Sequence, residues 1–455
     1  MRSILPENLI TLALACPAPL YVVGGSVRDF LLGIQPKNGE RDWDLASPMP
    51  LERFLPVAQN LGFTAKAIYQ NTGTLKLSDK DGVDYEYSCF RSDKYVRGKH
   101  TPVETFFTSD ITLDARRRDF TANAVYYDIA ANAYVDPLQG IPAIREKRLT
   151  TVAPAQKVFG EDGLRLMRLA RQSATLGFTP DTECLLGATQ NAALIKDISP
   201  QRIYAELCAI LSADEKYGVK DGHYQGLLML EKTGVLAHIL PELADGKGLT
   251  QRADFHKYDV LEHSFRAVLY ADKSVRLAAL LHDVGKPLCM RRDGNAFAHV
   301  EEGAHLARKI LNRLCAPNRV IEETVKLVSL HMYDFNCLTK ENKLRRFLVK
   351  NYGILDKLLL VKQADFSACT DDTSTAPTCA RWRALLAKMR EEKTPMRLKE
   401  LAVCGTDILA LGIPPQHVAA TLQDLLMHVA VQPYENKKER LCKLALALYN
   451  QRNNS

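Results

Sequence analysis

Asp42 and Asp44, in the run Arg41-Asp42-Trp43-Asp44-Leu45, are the first residues of this chain whose types and spacing could do chemistry. Side chains of period two on a strand point the same way, so the two carboxylates would share one face. Two like charges that close need a cation. A pair of Mg²⁺ ions about 3.5–4 Å apart would neutralise them and clamp the attacking and leaving oxygens of a phosphoryl transfer. An isolated Asp-x-Asp is more often a solvated edge strand, and the stretch upstream reverses that reading. Tyr21, Val22 and Val23 form a short apolar β-type run, which Gly24 and Gly25 break. Ser26 and Asp29 then read as a capping box for a helix that Gly33 ends. Strand, glycine turn and helix present unpaired N–H groups at a helix N-terminus, where a triphosphate can settle against the backbone at Gly25 while Arg28 adds charge-assisted hydrogen bonds.

Three further groups carry chemistry. Arg116 to Asn123 reads RRRDFTAN, and three consecutive arginines are costly to bring together without an anion. Asp119, Thr121 and Asn123 interleave with them, which a plain solvated patch does not need. EDGLRLMRLAR, residues 161–171, has helical spacing with Leu164, Met167 and Ala170 inward, and Asp162, Arg165, Arg168 and Arg171 recur every third residue. The plain structural reading is a ladder of i,i+3 pairs on an exposed face. The functional reading is sharper. Cytosine and adenine both offer an exocyclic amine donor beside a ring-nitrogen acceptor, whereas uracil and guanine offer the reverse, so one carboxylate and one guanidinium fit C and A and leave groups unpaired with U or G. Asp162 and Arg165 can supply that pair. Finally, histidines concentrate at 256, 263, 282, 299, 305 and 331, and the adjacent His282 and Asp283 at a helix end suit one divalent metal.

The elements that must position these groups follow from composition and pattern. With 455 residues, 46% hydrophobic and 25% charged, the chain has material for several globular domains, and disorder is not suggested. A net charge of +7 is compatible with a polyanionic partner. Eleven cysteines lack any C-x-x-C pair, which argues against a disulfide framework and fits a reducing, cytoplasmic setting. No run reaches the roughly 18 apolar residues of a membrane span, and no protein partner is evident. A helix is expected over 51–61 and strands over 76–90 around a turn at 80–82. The polar stretch 91–108 reads as a mobile loop, and Glu86 as a structural partner of Arg91, with a third metal carboxylate as the alternative. Helical pattern then dominates. Residues 345–361 and 380–393 form basic helices that suit an RNA backbone.

GG-x-VRD-x-LLG followed by D-x-D resembles the head of the class II tRNA nucleotidyltransferases, the CCA-adding enzymes, which share it with bacterial poly(A) polymerases. The resemblance implies an α+β chain: a mixed α/β nucleotidyltransferase palm over 1–150, an all-α neck over 151–245, an HD-type helical domain over 246–370 and a helical, RNA-binding tail over 371–455. It implies that Asp42 and Asp44 hold two catalytic Mg²⁺ ions. The spacer from Gly33 to Asp42 is longer than usual and carries Glu40, so a Glu40/Asp42 pairing is the alternative; Leu45, Ala46 and Ser47 continue as the family's strand does and favour Asp42/Asp44. RRRDFTAN is similar to the family's RRD-F-T-x-N-A, implying that Arg118 and Asp119 contact sugar and phosphates with Asn123 in support. E-D-x-x-R is the family motif that selects CTP and ATP without a nucleic-acid template, with Arg168 and Arg171 reaching the triphosphate. His263, His282, Asp283 and Asp365 follow the H…HD…D order of HD phosphohydrolases, implying a metal there, a transition metal being the candidate. His299 and His331 sit where extended HD sites carry extra ligands, and Lys286 is a candidate for a substrate phosphate. The implied function is Mg²⁺-dependent addition of CMP and AMP to the tRNA 3′ end. Enzymes adding only C or only A, a poly(A) polymerase, and a phosphohydrolase with a nucleotide-sensing head are the alternatives.

Overall fold

The computed structural model describes residues 1–35, 41–252 and 254–453, so Glu40 lies outside the described residues. The chain divides into two compact units, Met1–Asp245 with Lys309–Asn318, and Gly246–Arg308 with Arg319–Ser455. The first opens with helix α1 (Glu7–Ala15), strand β1 (Tyr21–Val23), helix α2 (Gly25–Leu31), β2 (Trp43–Ser47), α3 (Leu51–Asn60), β3 (Thr64–Tyr69), β4 (Thr74–Ser78) and β5 (Asp84–Cys89). Next come a hairpin of β6 (Arg91–Lys94) and β7 (Glu104–Phe107), then α4 (Ile111–Arg116), β8 (Tyr126–Asp128), β9 (Ala133–Val135) and α5 (Gly140–Arg145). Seven strands form one sheet in the order β3-β4-β5-β2-β1-β8-β9. Only β2 and β5 pair in parallel within it.

The sheet forms because its strands supply the right period. In β5, Tyr85, Tyr87 and Cys89 are buried while Asp84 and Glu86 face out, and Tyr87 stacks on Phe54 of α3 at a centroid distance of 3.7 Å. Behind β1 and β2 lies a core of Val23, Ala46, Phe90, Ala124, Tyr126 and Val158. That packing fixes the register that sets Val23 opposite Asp44 and Asp44 opposite Glu86. The polar stretch after residue 90 is a hairpin, with Arg91 opposite Phe107 and Lys94 opposite Glu104, and only residues between those strands form a loop.

Two local expectations are corrected. The Ser26/Asp29 capping box does not form: Gly24, at φ +82°, is the N-cap of α2, and no side chain caps it. Ser26 therefore lies within the first turn, where its hydroxyl donates to the Asp42 carbonyl instead. The run 161–171 is not one helix. Helix α6 (Ala155–Glu161) stops at Asp162, which is extended at φ −139° and ψ 106°, and α7 (Leu164–Leu176) starts after Gly163. A Cβ on Gly163 would meet the Leu194 carbonyl at 2.6 Å, so close backbone approach fixes the break. Helices α8 (Thr182–Asn191), α9 (Pro200–Leu211) and α10 (Ala213–Tyr217) continue this unit.

The second unit is helical. Its helices include Val260–Tyr270, which packs along Leu355–Thr370, and Pro377–Glu391, whose buried Trp382 donates to Asp334 at 2.9 Å. Arg345, expected on an exposed basic face, is buried and paired with Glu341 and Glu392. Among the described residues no helix is long and apolar enough to cross a membrane.

At Gly140 the Cβ of a larger residue would lie 2.2 Å from the Thr121 carbonyl. Gly140→Ala is expected to destabilise the protein by about 1–3 kcal/mol through overpacking, read as a lower thermal midpoint in calorimetry.

Candidate functional site

Within the first unit a cavity of about 610 Å³ is lined by Asp42, Asp44, Gly25, Arg28, Arg118, Asp119, Asn123, Asp162, Arg165, Arg168 and Arg171. Motifs spread over almost 150 residues of sequence therefore meet in one place. Sequence reasoning missed several other lining groups, among them Arg91, His100, Gln172, Arg202 and Lys216.

The carboxylates sit at one end. Asp44 is carried by β2 between β1 and β5, and Asp42 stands just before that strand with its side chain 88% exposed. Burial, partly countered by Arg118 and reinforced by Glu86 and Asp42, pushes the Asp44 carboxyl up to about 6. Glu86 pairs with Lys76 at 3.5 Å, opposite it on β4, and not with Arg91 as expected; Arg91 begins the separate hairpin and bonds Asp93 at 3.0 Å. Three acids thus converge, with Asp44 the most confined. A Cβ on Gly24 would stand 3.0 Å from Asp44 Oδ2, so the glycine serves both its left-handed backbone and the room beside that oxygen. This donor set fits divalent cations: oxygen ligands from adjacent strands, with the half-buried Asp44 driven towards protonation by desolvation despite Arg118. Lys216, on α10, comes within 3.5 Å of Asp42. Its neighbour Tyr217 donates to Asp29, whose other oxygen accepts from Arg28 Nη2 at 2.7 Å. No local signal marks these residues, because they reach the glycine turn from some 190 positions away.

The arginines are each tied to an acid. Arg117 and Arg118 both bond the buried Asp114, at 2.7 and 3.1 Å, and Tyr126 donates to the same carboxylate at 2.6 Å. Burial opposes ionisation of Asp114, yet Arg117 and Arg118 hold it down at about 2. The anion that the arginine run was expected to require is thus partly internal. Arg28 Nη1 donates to Asn123 at 2.7 Å, and Asp119 accepts from Asn123 at 2.9 Å and from the Phe120 N–H at 2.8 Å. Arg171 bonds Glu206 at 2.6 Å, while Arg168 lies 3.7 Å from Asp119 and its buried Nε has no hydrogen-bond partner.

The exposed i,i+3 ladder does not exist, because Asp162 precedes the helix. Asp162 and Arg165 are both buried, at 3% exposure. Asp162 Oδ1 accepts from the Leu164 N–H at 2.9 Å, and Oδ2 lies 3.9 Å from Arg165 Nε. Arg165 donates to the carbonyls of Val158 and Arg117 at 3.0 and 2.6 Å.

The second unit gathers a separate buried cluster. His263 Nε2 is 3.1 Å from both His282 Nε2 and Asp365 Oδ1, and Asp283 Oδ2 is 3.2 Å from His282 Nε2. On the other side, Asp283 Oδ1 lies 3.4 Å from His299 Nε2 and 3.8 Å from His331 Nε2, and those two nitrogens have no hydrogen-bond partner. The Nδ1 atoms of His282, His299 and His331 face the carbonyls of Ala279, Ala296 and Val328 at 2.6–2.7 Å, which places a proton on Nδ1 and turns Nε2 of each ring inward, the Nε2 atoms of His299 and His331 having no hydrogen-bond partner. Burial lowers the basicity of His282, but Asp283 and Asp365 outweigh it and hold the ring up to about 10. Converging imidazole and carboxylate donors fit a divalent metal. His305 is exposed and outside the cluster. Lys286 pairs with Asp283 at 2.5 Å and Gln251 at 2.7 Å.

Residues 20–150 match the family described as Poly A polymerase head domain, 177–247 the one described as Probable RNA and SrmB- binding site of polymerase A, and 260–365 the HD domain. An A-adding tRNA nucleotidyltransferase of Deinococcus radiodurans is 30% identical over 422 residues, covering 88% of each chain. This chain belongs to the tRNA nucleotidyltransferase family. A CC-adding tRNA nucleotidyltransferase of Thermus thermophilus is 29% identical, over 87% of this chain and 85% of its own. Among solved structures, the Bacillus stearothermophilus CCA-adding enzyme in complex with CTP shares the fold with a TM-score of 0.67, at 24% identity and 98% coverage of each chain. Members of the tRNA nucleotidyltransferase family use divalent metal ions, consistent with the acids gathered around Asp44.

An Asp44 carboxyl raised to about 6 is protonated below that pH and cannot ligate a cation. The rate of nucleotide incorporation, measured across roughly pH 5–8 at limiting metal, is expected to fall on the acid side near 6. Raising the metal concentration moves that limb to lower pH, since metal and proton compete. Glu86→Gln, which removes one like charge, moves it the same way.

Proposed function

We propose that this chain is a CCA-adding tRNA nucleotidyltransferase, transferring CMP and AMP from CTP and ATP to the tRNA 3′ end with release of pyrophosphate and without a nucleic-acid template. The observation that carries this reading is that one cavity contains both the Asp42/Asp44/Glu86 acids and the buried Asp162/Arg165 pair. Phosphoryl transfer and base choice are thereby within reach of a single nucleotide.

Asp42 and Asp44, with Glu86 beside them, hold Mg²⁺. Bound there, the ions supply charge neutralisation at the α-phosphate and a lowered pKa for the RNA 3′-hydroxyl. The chain's own groups do the rest. Gly25 and the start of α2 leave room for the phosphates. Arg28, Arg118 and Arg171 contribute charge already oriented by Asp29, Asp114 and Glu206, and Arg168 Nε, 3.8 Å from Glu206 and without a hydrogen bond, is a spare donor. Asp119 and Asn123 position the sugar. Asp162, acting only as an acceptor, accepts a hydrogen bond from the exocyclic amine of C or A and rejects the carbonyl that U or G would present. Residues 1–150 are the transferase head, 151–245 the neck, 246–370 the HD domain and 371–455 an RNA-binding tail that senses the acceptor stem through its backbone and shape. Cysteines that are free throughout the described chain suit a cytoplasmic protein.

A second activity is favoured by one observation, the inward lone pairs of His299 and His331 beside Asp283. We read His263, His282, Asp283 and Asp365 as ligands of a transition metal in a phosphohydrolase site.

Incubation with Mg²⁺ and tRNAs ending before CCA, after C or after CC, supplying each labelled nucleotide in turn, is expected to give stepwise C, C and A addition that then stops. Addition of A alone to the CC-ending tRNA, of C alone, or of a long A tail would replace this reading with the corresponding partial enzyme or polymerase. Asp42→Ala is expected to lower incorporation by on the order of 10²–10³-fold or more while leaving metal-dependent hydrolysis of phosphoesters intact. Asp283→Ala is expected to do the reverse.

A further inference from the structure

The loop between β6 and β7 is fastened onto the junction between α6 and α7. Gly98 donates to the Gly160 carbonyl at 2.7 Å and accepts from the Gly163 N–H at 3.1 Å, so the loop and the helix break are joined backbone to backbone. Gly98 stands at φ +80°, a backbone conformation that favours glycine, and a Cβ there would also meet Asp197 Oδ2 at 2.8 Å. From this anchor the loop lays one side chain on each member of the Asp162/Arg165 pair. The Tyr95 ring lies 5.6 Å from the Arg165 guanidinium, and His100 Nδ1 is 2.8 Å from Asp162 Oδ2.

We propose that His100 is a specificity-determining positioning residue: its Nδ1–H orients the Asp162 carboxylate and keeps it an acceptor, so that the site admits the amines of cytosine and adenine and refuses the carbonyls of uracil and guanine. The proposal rests on the base-reading role of Asp162 and Arg165.

The chemistry follows from the inventory of donors. An ionised carboxylate can only accept, so the short contact to His100 requires the imidazole to donate. The same carboxyl, if protonated, acquires an O–H donor and could serve the O4 of uracil or the O6 of guanine as well as it now serves an amine. Burial pushes Asp162 in that direction, raising its pKa against the pull of Arg165 and the Leu164 N–H. Arg165 holds the charge through space and not by a hydrogen bond, because two of its donors are taken by the Val158 and Arg117 carbonyls and its Nε is 3.9 Å away. His100 is thus the nearest side-chain donor to Oδ2. It is also the more exposed partner, at 27% against 4% for Asp162, so it approaches from the cavity side, where the base must enter. Each carboxylate oxygen has two lone pairs, so Oδ2 can accept from His100 and from an amine together.

The test uses the full-length protein with a tRNA lacking CCA, measuring kcat and KM for CTP and the ratio of CTP to UTP incorporation. His100→Ala is expected to raise the KM for CTP by on the order of tenfold, the loss of one hydrogen bond to a charged group, with kcat changed much less. The preference for CTP over UTP is expected to fall by a similar factor. His100→Asn, whose amide N–H can occupy the Nδ1 position, is expected to restore both. Loss of kcat with nucleotide preference intact, unchanged kinetics, a lower KM, or failure of Asn to rescue would each overturn the proposal. Asp162→Ala separates the layers: if it leaves nucleotide choice unchanged, the base-reading assignment has failed, whereas altered choice in Asp162→Ala with none in His100→Ala fails His100 alone.

Discussion

Negative charge confined beside a glycine turn is the constraint on which the head depends. Asp44 lies between Val23 on one strand and Glu86 on the next, with Asp42 two residues before it. Nothing in the hydrophobic effect favours that arrangement, and desolvation, with Glu86 and Asp42 adding to it against Arg118, raises the basicity of Asp44. The surrounding fold holds it in place. Behind the strands, Val23 and Ala46 sit in a core with Phe90 and Tyr126, so the register cannot slip without turning apolar side chains out. In front, Gly24 leaves space that any Cβ would fill. Desolvation and neighbouring acids together make a cation welcome beside Asp44.

The neck stands in a similar relation to the head. The break at Asp162 and Gly163 removes Asp162 from the helix and lets its carboxylate do two things at once, capping α7 through Oδ1 while Oδ2 faces the cavity. A continuous helix would have carried the side chain round its surface and left only an ordinary exposed ion pair. Tyr217, reaching back to Asp29, ties the far end of the same neck to the glycine turn. The groups proposed to read the base and to hold the phosphates are therefore braced against one another by short polar contacts between residues remote in sequence.

What the sequence made legible was the chemistry carried by short motifs. Strand, glycine turn and Asp-x-Asp announce themselves because each depends on neighbours within a few residues, and the alternation of Tyr85 and Tyr87 with Glu86 announces its strand. Legibility ended where distant backbone decides. Ser26 and Asp29 have capping-box spacing, but Gly24 takes the N-cap and the serine serves Asp42. The helical period of 161–171 is genuine on both sides of Gly163, yet Leu194 presses on that glycine and no local pattern reports it. Glu86 looked like a partner for Arg91 along the chain and instead found Lys76 across the sheet. His100 and Lys216 lacked any signal, since a lone histidine in a polar loop and a lysine on a short helix acquire meaning only from what they face. In the second unit the HD spacing was readable, but the backbone carbonyls that aim three of the rings were not.

Most of the arginines discussed in the cavity come with a resident acid, among them Arg28 with Asp29, Arg117 and Arg118 with Asp114, and Arg168 and Arg171 with Glu206. A cavity of bare guanidinium groups would grip a polyphosphate hard and be slow to let it go. Here the positive charge is oriented but half spent, so with these arginines in the phosphate-holding role proposed for them, pyrophosphate left behind by each addition meets a softened field on its way out. For a catalyst that must repeat its step on one RNA end and empty itself between steps, ease of departure matters as much as strength of capture.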